Sequence, residues 1–336
     1  MLSFADIIGN DDTKTQLVIA AQAAKGRNSS VPHLLFGGHP GCGKTTSAQA
    51  LSSFLNVPFI QADPSSIKSA QDVYNLAKKF PLEGYDRNGN VVGQISPPIL
   101  FFDEIHGLNL KAQEILGIMM ENRIITMPAA RQRRETNVWV PKFTLVGATT
   151  MTGKLSKPFR DRFKASFKFE TYSLEDLLKV VSVHSSRLGV PVDAKAAVAI
   201  ASRSRGVPRL SVGFLERASD YLHVLKKDVV DIEIVNAMFS IMGIDESGLT
   251  LNDVKVLKMV YDSGDAPIGL DTLAIVTNDS PSTIAHEVEP YLIQNGYMIR
   301  TPRGRLLTEK GIEFVESKFY RERNGGLYAT KEVLLG

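Results

Sequence analysis

The sequence contains one cysteine, Cys42, among 336 residues. A single cysteine excludes a disulfide within the chain and fits a reducing compartment. There is no run of about 18 apolar residues, so no membrane-spanning helix is predicted. The first residues lack the basic and apolar regions of a signal peptide. These absences predict a cytoplasmic protein that is not anchored in a membrane.

The sequence also lacks a strong charge imbalance, internal repeats and low-complexity tracts. Its formal net charge is +3, so overall charge says almost nothing about a nucleic-acid partner. With 336 residues and 43% hydrophobic residues, the chain is long enough for two or three compact domains.

Three short apolar runs mark the first half of the chain, at residues 33–36, 99–102 and 143–146. Runs of this kind, without polar interruptions, are typical of central parallel strands that are buried on both faces. Helical stretches separate them, and one such helix is predicted to start at a cap at Asp11 or Asp12 and to end near Gly26. The pattern predicts an α/β sheet with crossover helices.

The pattern becomes helical after about residue 170. Ser173 and Asp176 form a predicted capping box that opens a helix through Val183. Amphipathic segments without strand-like runs follow at 193–203, 207–225 and 231–241. These features predict a small helical domain, followed by a linker at residues 243–248.

The last segment starts at Leu249 and has a different order of elements. Helices are predicted near 251–262 and 269–277, and Ser280-Pro281 opens a third that stops at Gly296. A strand, a turn and a second strand follow at residues 297–307. Three helices and a hairpin predict a winged helix, so the expected domains are 1–168, 169–245 and 249–336.

A phosphate-binding loop follows the first apolar run. Gly38-His39-Pro40-Gly41-Cys42-Gly43-Lys44-Thr45 matches G-x-x-x-x-G-K-[ST] between a predicted strand and a predicted helix. Its glycines let backbone N–H groups converge on phosphate oxygens of ATP, and the helix N-terminus adds positive potential. We expect Lys44 to reach the phosphates, Thr45 to ligate Mg²⁺, and Thr46 to contact the nucleotide. Cys42 is either an inert small residue of this loop or a redox switch.

Two adjacent carboxylates follow the second apolar run. Asp103 and Glu104 are expected at the carboxyl edge of the sheet, beside the phosphates. We expect Asp103 to hold the metal shell and Glu104 to polarise the attacking water.

Six segments resemble motifs of the RuvB family and occur in the same order. They are Asp103-Glu104-Ile105-His106, Gly147-Ala148-Thr149-Thr150, Arg160-Asp161-Arg162-Phe163, Arg205-Gly206-Val207-Pro208-Arg209, 289–296 and Thr301-Pro302-Arg303-Gly304-Arg305. The last two lie outside the predicted ATPase domain and separate this family from generic AAA+ proteins. The resemblance implies an AAA+ P-loop core with a parallel sheet, then a helical lid domain and a C-terminal winged-helix domain.

The resemblance also implies roles for single residues. Thr150 corresponds to a sensor of the γ-phosphate, and Arg162 to an arginine finger donated to the neighbouring subunit's ATP. Arg209, after Pro208, corresponds to a second sensor, and the role of Arg160 stays open. Ile7, Ile8 and Tyr172 match the adenine pocket of the family, with ordinary core packing as the alternative.

The function implied by the resemblance is an ATP-driven motor for branch migration of Holliday-junction-like double-stranded DNA. A finger that acts in trans requires head-to-tail contacts, which implies a homo-oligomeric ring, a hexamer in the family. Arg300, Arg303 and Arg305 surround the predicted wing turn and are expected to contact phosphates, with Lys318, Arg321 and Arg323 clustered further on. An alternative is a clamp-loader-like remodelling ATPase. A non-catalytic adaptor is disfavoured because the ATP motifs are intact.

Three segments depart from the family pattern. Residues 80–97 are a predicted insertion, and Lys164 follows Arg162-Phe163 where the family has glycine. Residues 122–142 correspond to the hairpin whose apolar tip binds RuvA in the family. Here Pro128-Ala129-Ala130-Arg131 matches, but the polar Gln132-Arg133-Arg134-Glu135 follows. The chain therefore either lacks a RuvA-like partner, binds a different one, or turns Arg131, Arg133 and Arg134 towards DNA.

Overall fold

The computed structural model describes residues 3–27, 29–81, 97–127 and 136–323, the last four of these by their backbone only. The chain forms two compact units. The first is Met1–Asp176 with Val207–Arg209, and the second is Leu177–Gly206 with Leu210–Gly336. No helix in the described ranges is both long and apolar enough to cross a membrane.

The first unit alternates helices and strands. In chain order these are α1 (Asp11–Gly26), β1 (Leu34–Gly38), α2 (Lys44–Leu55), β2 (Phe59–Ala62), α3 (Ala70–Ala77), β3 (Ile99–Phe102), α4 (Leu110–Asn122), β4 (Ile124–Met127), β5 (Thr136–Trp139), β6 (Thr144–Thr149), α5 (Lys157–Arg160) and β7 (Ala165–Phe169).

A parallel sheet of five strands forms the centre of this unit, in the order β2-β3-β6-β1-β7. Every residue of β3 and β6 is buried, as expected for strands covered on both faces. The three strands predicted from the apolar runs are confirmed, and so is the α/β class. The strands β2 and β7 were not predicted, and both lie at the edges of the sheet.

The start of α1 differs from the prediction in its cap. The helix begins at Asp11, but the cap residue is Asn10, whose backbone is left-handed with φ of 50°. Asp11 and Asp12 lie in the first turn, where carboxylates interact favourably with the helix dipole. The Asn10 side chain accepts a hydrogen bond from the Glu170 amide at 2.8 Å and ties the start of α1 to the end of β7.

A hairpin formed by β4 and β5 corresponds to the segment predicted at 122–142. The two antiparallel strands have four residues each, with Ile124 opposite Trp139. Trp139 is 68% exposed, and the Arg123 guanidinium lies 6.0 Å from the centre of its ring. The predicted polar tip at 128–135 lies outside the described residues, and so do residues 82–96 of the predicted insertion.

The lid portion follows as four helices: α6 (Leu174–Leu188), α7 (Ala194–Arg203), α8 (Pro208–Leu225) and α9 (Ile232–Met242). The Ser173 hydroxyl accepts a hydrogen bond from the Asp176 amide at 3.1 Å, as predicted for the cap. The helix it opens runs to Leu188, five residues beyond the predicted end at Val183. A buried core joins these helices, and its members include Ile200 of α7, Leu215 of α8, and Met238 and Phe239 of α9.

The last portion is a winged helix. Its elements are α10 (Leu251–Asp262), α11 (Leu270–Thr277), α12 (Pro281–Thr283), α13 (Glu289–Gln294), β8 (Met298–Thr301), β9 (Gly304–Leu307) and α14 (Glu309–Arg323). The predicted third helix is interrupted by a π-helical turn at Ile284–Val288. Pro290, the second residue of α13, has no amide hydrogen to donate to the preceding turn.

The segment predicted as a linker is a packed turn. Gly243 ends α9 in the left-handed region, and Ile244 pairs with Thr250 in an antiparallel bridge. The Asp245 carboxylate accepts hydrogen bonds from the Ser247 and Leu249 amides at 3.0 and 2.9 Å. The lid and the winged helix therefore meet at a tight turn, within one compact unit.

Candidate nucleotide site

The phosphate-binding loop connects β1 to α2 and requires glycine at two positions. Gly38 has φ of 147°, and a Cβ there would collide with the carbonyl oxygen of Phe169. Gly41 has φ of 76°, and a Cβ there would lie 2.8 Å from Val207 Cγ1. The loop leads into the free amide groups at the start of α2, which is the arrangement that binds phosphate groups.

Lys44 is the first residue of α2 and is buried under the loop. Its Nζ donates hydrogen bonds to the carbonyl oxygens of Gly38 at 2.8 Å and His39 at 2.9 Å. Burial lowers the pKa of the Lys44 ammonium, and the nearby carboxylates of Glu104 and Asp103 act in the opposite direction. An ammonium in this position fits the phosphates of a nucleotide.

Thr45 and Asp103 lie side by side. Asp103 directly follows β3, and the Thr45 hydroxyl donates to its Oδ2 at 3.4 Å. A hydroxyl and a carboxylate at the mouth of a phosphate loop are the oxygen ligands that suit Mg²⁺, which usually takes one or two protein ligands and completes its shell with phosphates and water.

Glu104 is held by two neighbouring residues, Thr150 and His106. Its backbone is left-handed, with φ of 46°. Its Oε2 accepts hydrogen bonds from the Thr150 amide at 3.2 Å and the Thr150 hydroxyl at 3.1 Å, and it lies 3.0 Å from His106 Nδ1. The two residues singled out as the water-polarising acid and the sensor are therefore in direct contact.

His106 and Thr149 belong to this cluster, although the sequence reasoning gave them no role. His106 Nδ1 lies 2.9 Å from the Thr149 hydroxyl, which also accepts a hydrogen bond from the Met151 amide at 2.9 Å. The signal for His106 was its position two residues after Glu104 in the acidic motif. Thr149 is fully buried at the end of β6, and its only signal was its place before Thr150 in the segment Gly147-Ala148-Thr149-Thr150.

Tyr172 packs beside the loop. A Cβ at Gly9 would lie 2.9 Å from its ring, and a Cβ at Gly43 would lie 3.3 Å from its hydroxyl. Burial raises the pKa of Tyr172 to about 12. Ile7 is buried in the apolar core that also contains Cys42, whereas Ile8 is half-buried. For Ile7, core packing and a place near the adenine are thus compatible readings.

Cys42 and Arg209 lie on two sides of Gly41. A Cβ at Gly41 would lie 3.0 Å from Arg209 Cβ, so the Arg209 side chain starts directly at the loop, one position after Pro208. Burial raises the pKa of the Cys42 thiol, which keeps it protonated and agrees with an inert loop residue. Pro40 is exposed in the loop, and Thr46 is exposed at the third position of α2.

Arg162 lies apart from this group. Its guanidinium donates to the Pro158 carbonyl oxygen at 2.6 Å, lies 3.3 Å from the Glu121 carboxylate, and packs on Gly117, where a Cβ would sit 3.1 Å from it. None of these neighbours belongs to the phosphate loop or the acidic pair. Arg160 is half-buried at the end of α5.

The three arginines of the predicted wing differ in exposure. Arg300 and Arg303 are exposed on β8 and on the turn. Arg305 is 6% exposed, and its Nε donates to Glu289 Oε1 at 2.5 Å. The Arg305 charge is therefore paired inside the domain, which does not favour the prediction that Arg305 contacts DNA. Of the further basic cluster, Lys318 pairs with Asp245 at 3.2 Å, and the side chains of Arg321 and Arg323 lie outside the described residues.

A parallel sheet whose strands end in a phosphate loop, an acidic pair and Thr150, with a helical portion after it and Arg209 beside the loop, defines an AAA+ ATPase. The chain binds nucleotide and is an ATP hydrolase of this class. It belongs to the RuvB family. Residues 2–169 match the Holliday junction DNA helicase RuvB P-loop domain, 172–245 the RuvB AAA lid domain, and 246–316 the RuvB C-terminal winged helix domain.

Relatives match over nearly the whole chain. The Holliday junction branch migration complex subunit RuvB of Prochlorococcus marinus (strain MIT 9515) is 37% identical over 318 residues, 94% of this chain and 86% of the relative. The protein of that name from Acholeplasma laidlawii (strain PG-8A) is 35% identical over 94% of this chain and 90% of its own. A solved structure, the Thermotoga maritima RuvB Holliday junction branch migration motor, has a TM-score of 0.78 at 32% identity and covers 94% of this chain and 97% of its own. These similarities do not favour the clamp-loader-like alternative.

Proposed function

We propose that this protein is an ATP-driven DNA motor for branch migration of Holliday-junction-like double-stranded DNA. The observation that carries the proposal is the match of all three parts of the chain, in order, to the three RuvB domains. The proposed domains are 1–168 for the ATPase, 169–245 for the lid and 249–336 for the winged helix. The proposed location is the cytoplasm.

The proposed chemistry is in-line attack of water on the γ-phosphate of ATP. Lys44 binds the phosphates, and Thr45 and Asp103 would hold Mg²⁺, which neutralises charge on the β- and γ-oxygens. Glu104 polarises the attacking water, and Thr150 positions the Glu104 carboxylate through its two hydrogen bonds. The adenine is proposed to lie against Ile7, Ile8 and Tyr172.

Two arginines are proposed to stabilise charge in the transition state. Arg209 acts on the ATP of its own subunit, since its side chain starts beside Gly41. Arg162 acts on the ATP of a neighbour, which fits its separation from the loop of its own chain and its always-charged, forked guanidinium. A site shared in this way requires a head-to-tail homo-oligomer, and we propose a hexameric ring.

DNA is proposed to contact the exposed arginines of the wing, Arg300 and Arg303. Contacts of arginine with phosphates do not depend on sequence, as a motor that moves along DNA requires. A separate proposal concerns the hairpin, which carries the exposed Trp139 and the polar sequence 128–135. Either no RuvA-like protein binds there, or a different partner does.

The decisive test measures ATP hydrolysis with and without a synthetic four-way junction. The wild-type protein should be stimulated by the junction, and Glu104→Gln and Arg162→Ala should each abolish the stimulated rate. Because Arg162 acts in trans, mixing Arg162→Ala with Glu104→Gln subunits should restore part of the activity. Hydrolysis that is indifferent to every DNA would contradict the proposal and would favour a protein-remodelling role.

The hairpin is tested with purified RuvA. If RuvA stimulates the ATPase, and this stimulation is lost when β4 and β5 are replaced by a short turn, then the hairpin does bind a RuvA-like partner. No stimulation, with full activity on a junction, supports that absence.

A further inference from the structure

A single arginine of the lid is embedded in the winged helix. Arg205 lies between α7 and α8, and it and Gly206 both have left-handed backbone, with φ of 54° and 73°. This conformation is uncommon for a residue other than glycine. The contacts that follow show where the Arg205 side chain is held.

The Arg205 guanidinium makes three contacts with the winged helix and the turn before it. Its Nε donates to the Gly248 carbonyl oxygen at 2.8 Å, and its NH2 donates to the Asp253 carboxylate. Its plane lies over the ring of Tyr291, 4.3 Å from the centroid. The Asp253 side chain is 1% exposed and the Arg205 side chain 15%, so water screens this ion pair little.

The partners of Arg205 are structural anchors of the winged helix. Asp253 closes the capping box of α10, and its carboxylate accepts from the Thr250 amide and hydroxyl, each at 2.6 Å. Tyr291 belongs to α13, and its hydroxyl donates to the Ser247 carbonyl oxygen at 2.8 Å. A displacement of α10 or α13 must therefore move Arg205 or break a buried ion pair.

The turn around this arginine is too crowded to act as a loose joint. A Cβ at Gly248 would lie 3.2 Å from both the Arg203 carbonyl oxygen and the Tyr291 hydroxyl, and Gly248 has φ of 74°. On the other side of the turn, Lys318 of α14 pairs with Asp245 at 3.2 Å. Because close-packed groups resist independent shifts, we expect the end of α7 and the winged helix to move together.

Arg209 follows Arg205 by four positions, and Pro208 starts α8 between them. We propose that Arg205 is a positioning residue that couples DNA binding on the winged helix to ATP hydrolysis, by setting the position of the segment that carries Arg209. The inference rests on the proposed function, since it assumes that DNA binds the winged helix. In this proposal Arg209 is the group that faces the nucleotide, and Arg205 acts through Arg209.

The test compares Arg205→Ala with Arg203→Ala. Arg203 is a buried arginine at the end of α7, two positions before Arg205. Its side chain contacts the lid, 4.7 Å from the Phe239 ring centroid and 3.2 Å from Asn236. The readouts are the ratio of ATP hydrolysis with and without a four-way junction, and the affinity for the junction at one salt concentration. Circular dichroism identifies a temperature at which every variant is folded.

We expect Arg205→Ala to retain basal hydrolysis and junction affinity, and to reduce the stimulation ratio about 5-fold or more, the lower end of usual coupling energies. Asp253→Asn, which retains an oxygen for the cap of α10, should reduce the ratio in the same way. Arg205→Lys should recover part of it, because a lysine keeps the charge but loses the planar fork. Arg203→Ala should keep the wild-type ratio.

Two outcomes would overturn the inference and differ in what else they imply. If the wild type is stimulated and Arg205→Ala keeps the full ratio, or loses no more than Arg203→Ala, the inference is wrong and the proposed function stands. If the wild type is not stimulated by any DNA, the proposed function and the inference both fail.

Discussion

The pair formed by Arg305 and Glu289 predicts how the winged helix responds to the loss of one charge. Their side chains are 7% and 2% exposed, and Nε and Oε1 are 2.5 Å apart. Removing one member of a buried pair leaves the other charge uncompensated, which costs about 3–5 kcal/mol. Arg305→Met and Glu289→Leu should each destabilise the winged helix by about this amount.

The double variant is expected to behave differently. The NH2 of Arg305 is buried without a hydrogen-bond partner, so the desolvation of this guanidinium is not fully offset. Replacing both residues by apolar side chains removes the pair without leaving a charge, and is expected to restore stability to within about 1 kcal/mol of the wild type.

Hydrogen exchange measured by mass spectrometry on peptides from α13 and β9 reports on this domain alone. A loss of about 3–5 kcal/mol corresponds to exchange that is faster by roughly two to three and a half orders of magnitude, provided that local opening controls exchange. Both single variants should show this acceleration, and the double variant should not.

The competing interpretation is that Arg305 contacts DNA. In that case Arg305→Met would leave exchange unchanged, would weaken junction binding, and would reduce the dependence of affinity on salt by about one phosphate contact. This combination would refute the structural role of Arg305. Arg303→Met, at an exposed position of the same wing, is the matched control and should show the DNA effect without the loss of stability.

Three further predictions follow from the first unit. Thr150→Val removes one of the two hydrogen bonds from Thr150 to Glu104, and a hydrogen bond to a charged group contributes about 1.5–3 kcal/mol. The kcat should therefore fall roughly tenfold to a hundredfold, while the ATP affinity measured by calorimetry is retained. Gly117→Ala should stabilise α4 by up to about 1 kcal/mol in thermal unfolding, yet lower the ATPase by displacing Arg162; an unchanged rate would contradict the role of that arginine. Burial lowers the pKa of His33 below its ordinary value of 6.5, so below pH 6.5 the unfolded chain binds a proton that the folded chain does not. The free energy of unfolding should therefore decrease as the pH is lowered below 6.5, by at most about 1.4 kcal/mol per pH unit. His33→Gln should lack this component.

The part of the fold that could be predicted from the sequence is the part buried on both faces. The strands β3 and β6 are buried at every residue and β1 at its first three, because their neighbours in the sheet and the helices cover them, and their sequences there are apolar. The strands β2 and β7 form the edges of the sheet and are only partly buried, so polar residues such as Gln61 and Lys168 interrupt their patterns. An edge strand of four or five residues is therefore hard to separate from a loop.

The candidate functional residues also fall into those that contiguous sequence can suggest and those that depend on contacts between distant residues. The phosphate loop and the acidic pair carry their chemistry in contiguous residues, so they could be proposed from spacing alone. The contact of Arg305 with Glu289 joins residues 16 positions apart, and the contact of Arg205 with Asp253 joins residues 48 apart. Charge alone does not show whether an arginine faces solvent or a buried carboxylate, because this depends on how the helices and the hairpin pack.

The hairpin of the first unit has a practical consequence. Trp139 is the only tryptophan of the chain, and it lies exposed on β5. The intrinsic fluorescence excited at the red edge of protein absorption therefore comes from this one position. A protein that covers the hairpin should shift the emission of Trp139 to shorter wavelength, whereas DNA that binds only at the wing should leave it unchanged. The chain thus carries its own label for finding which surface a partner occupies.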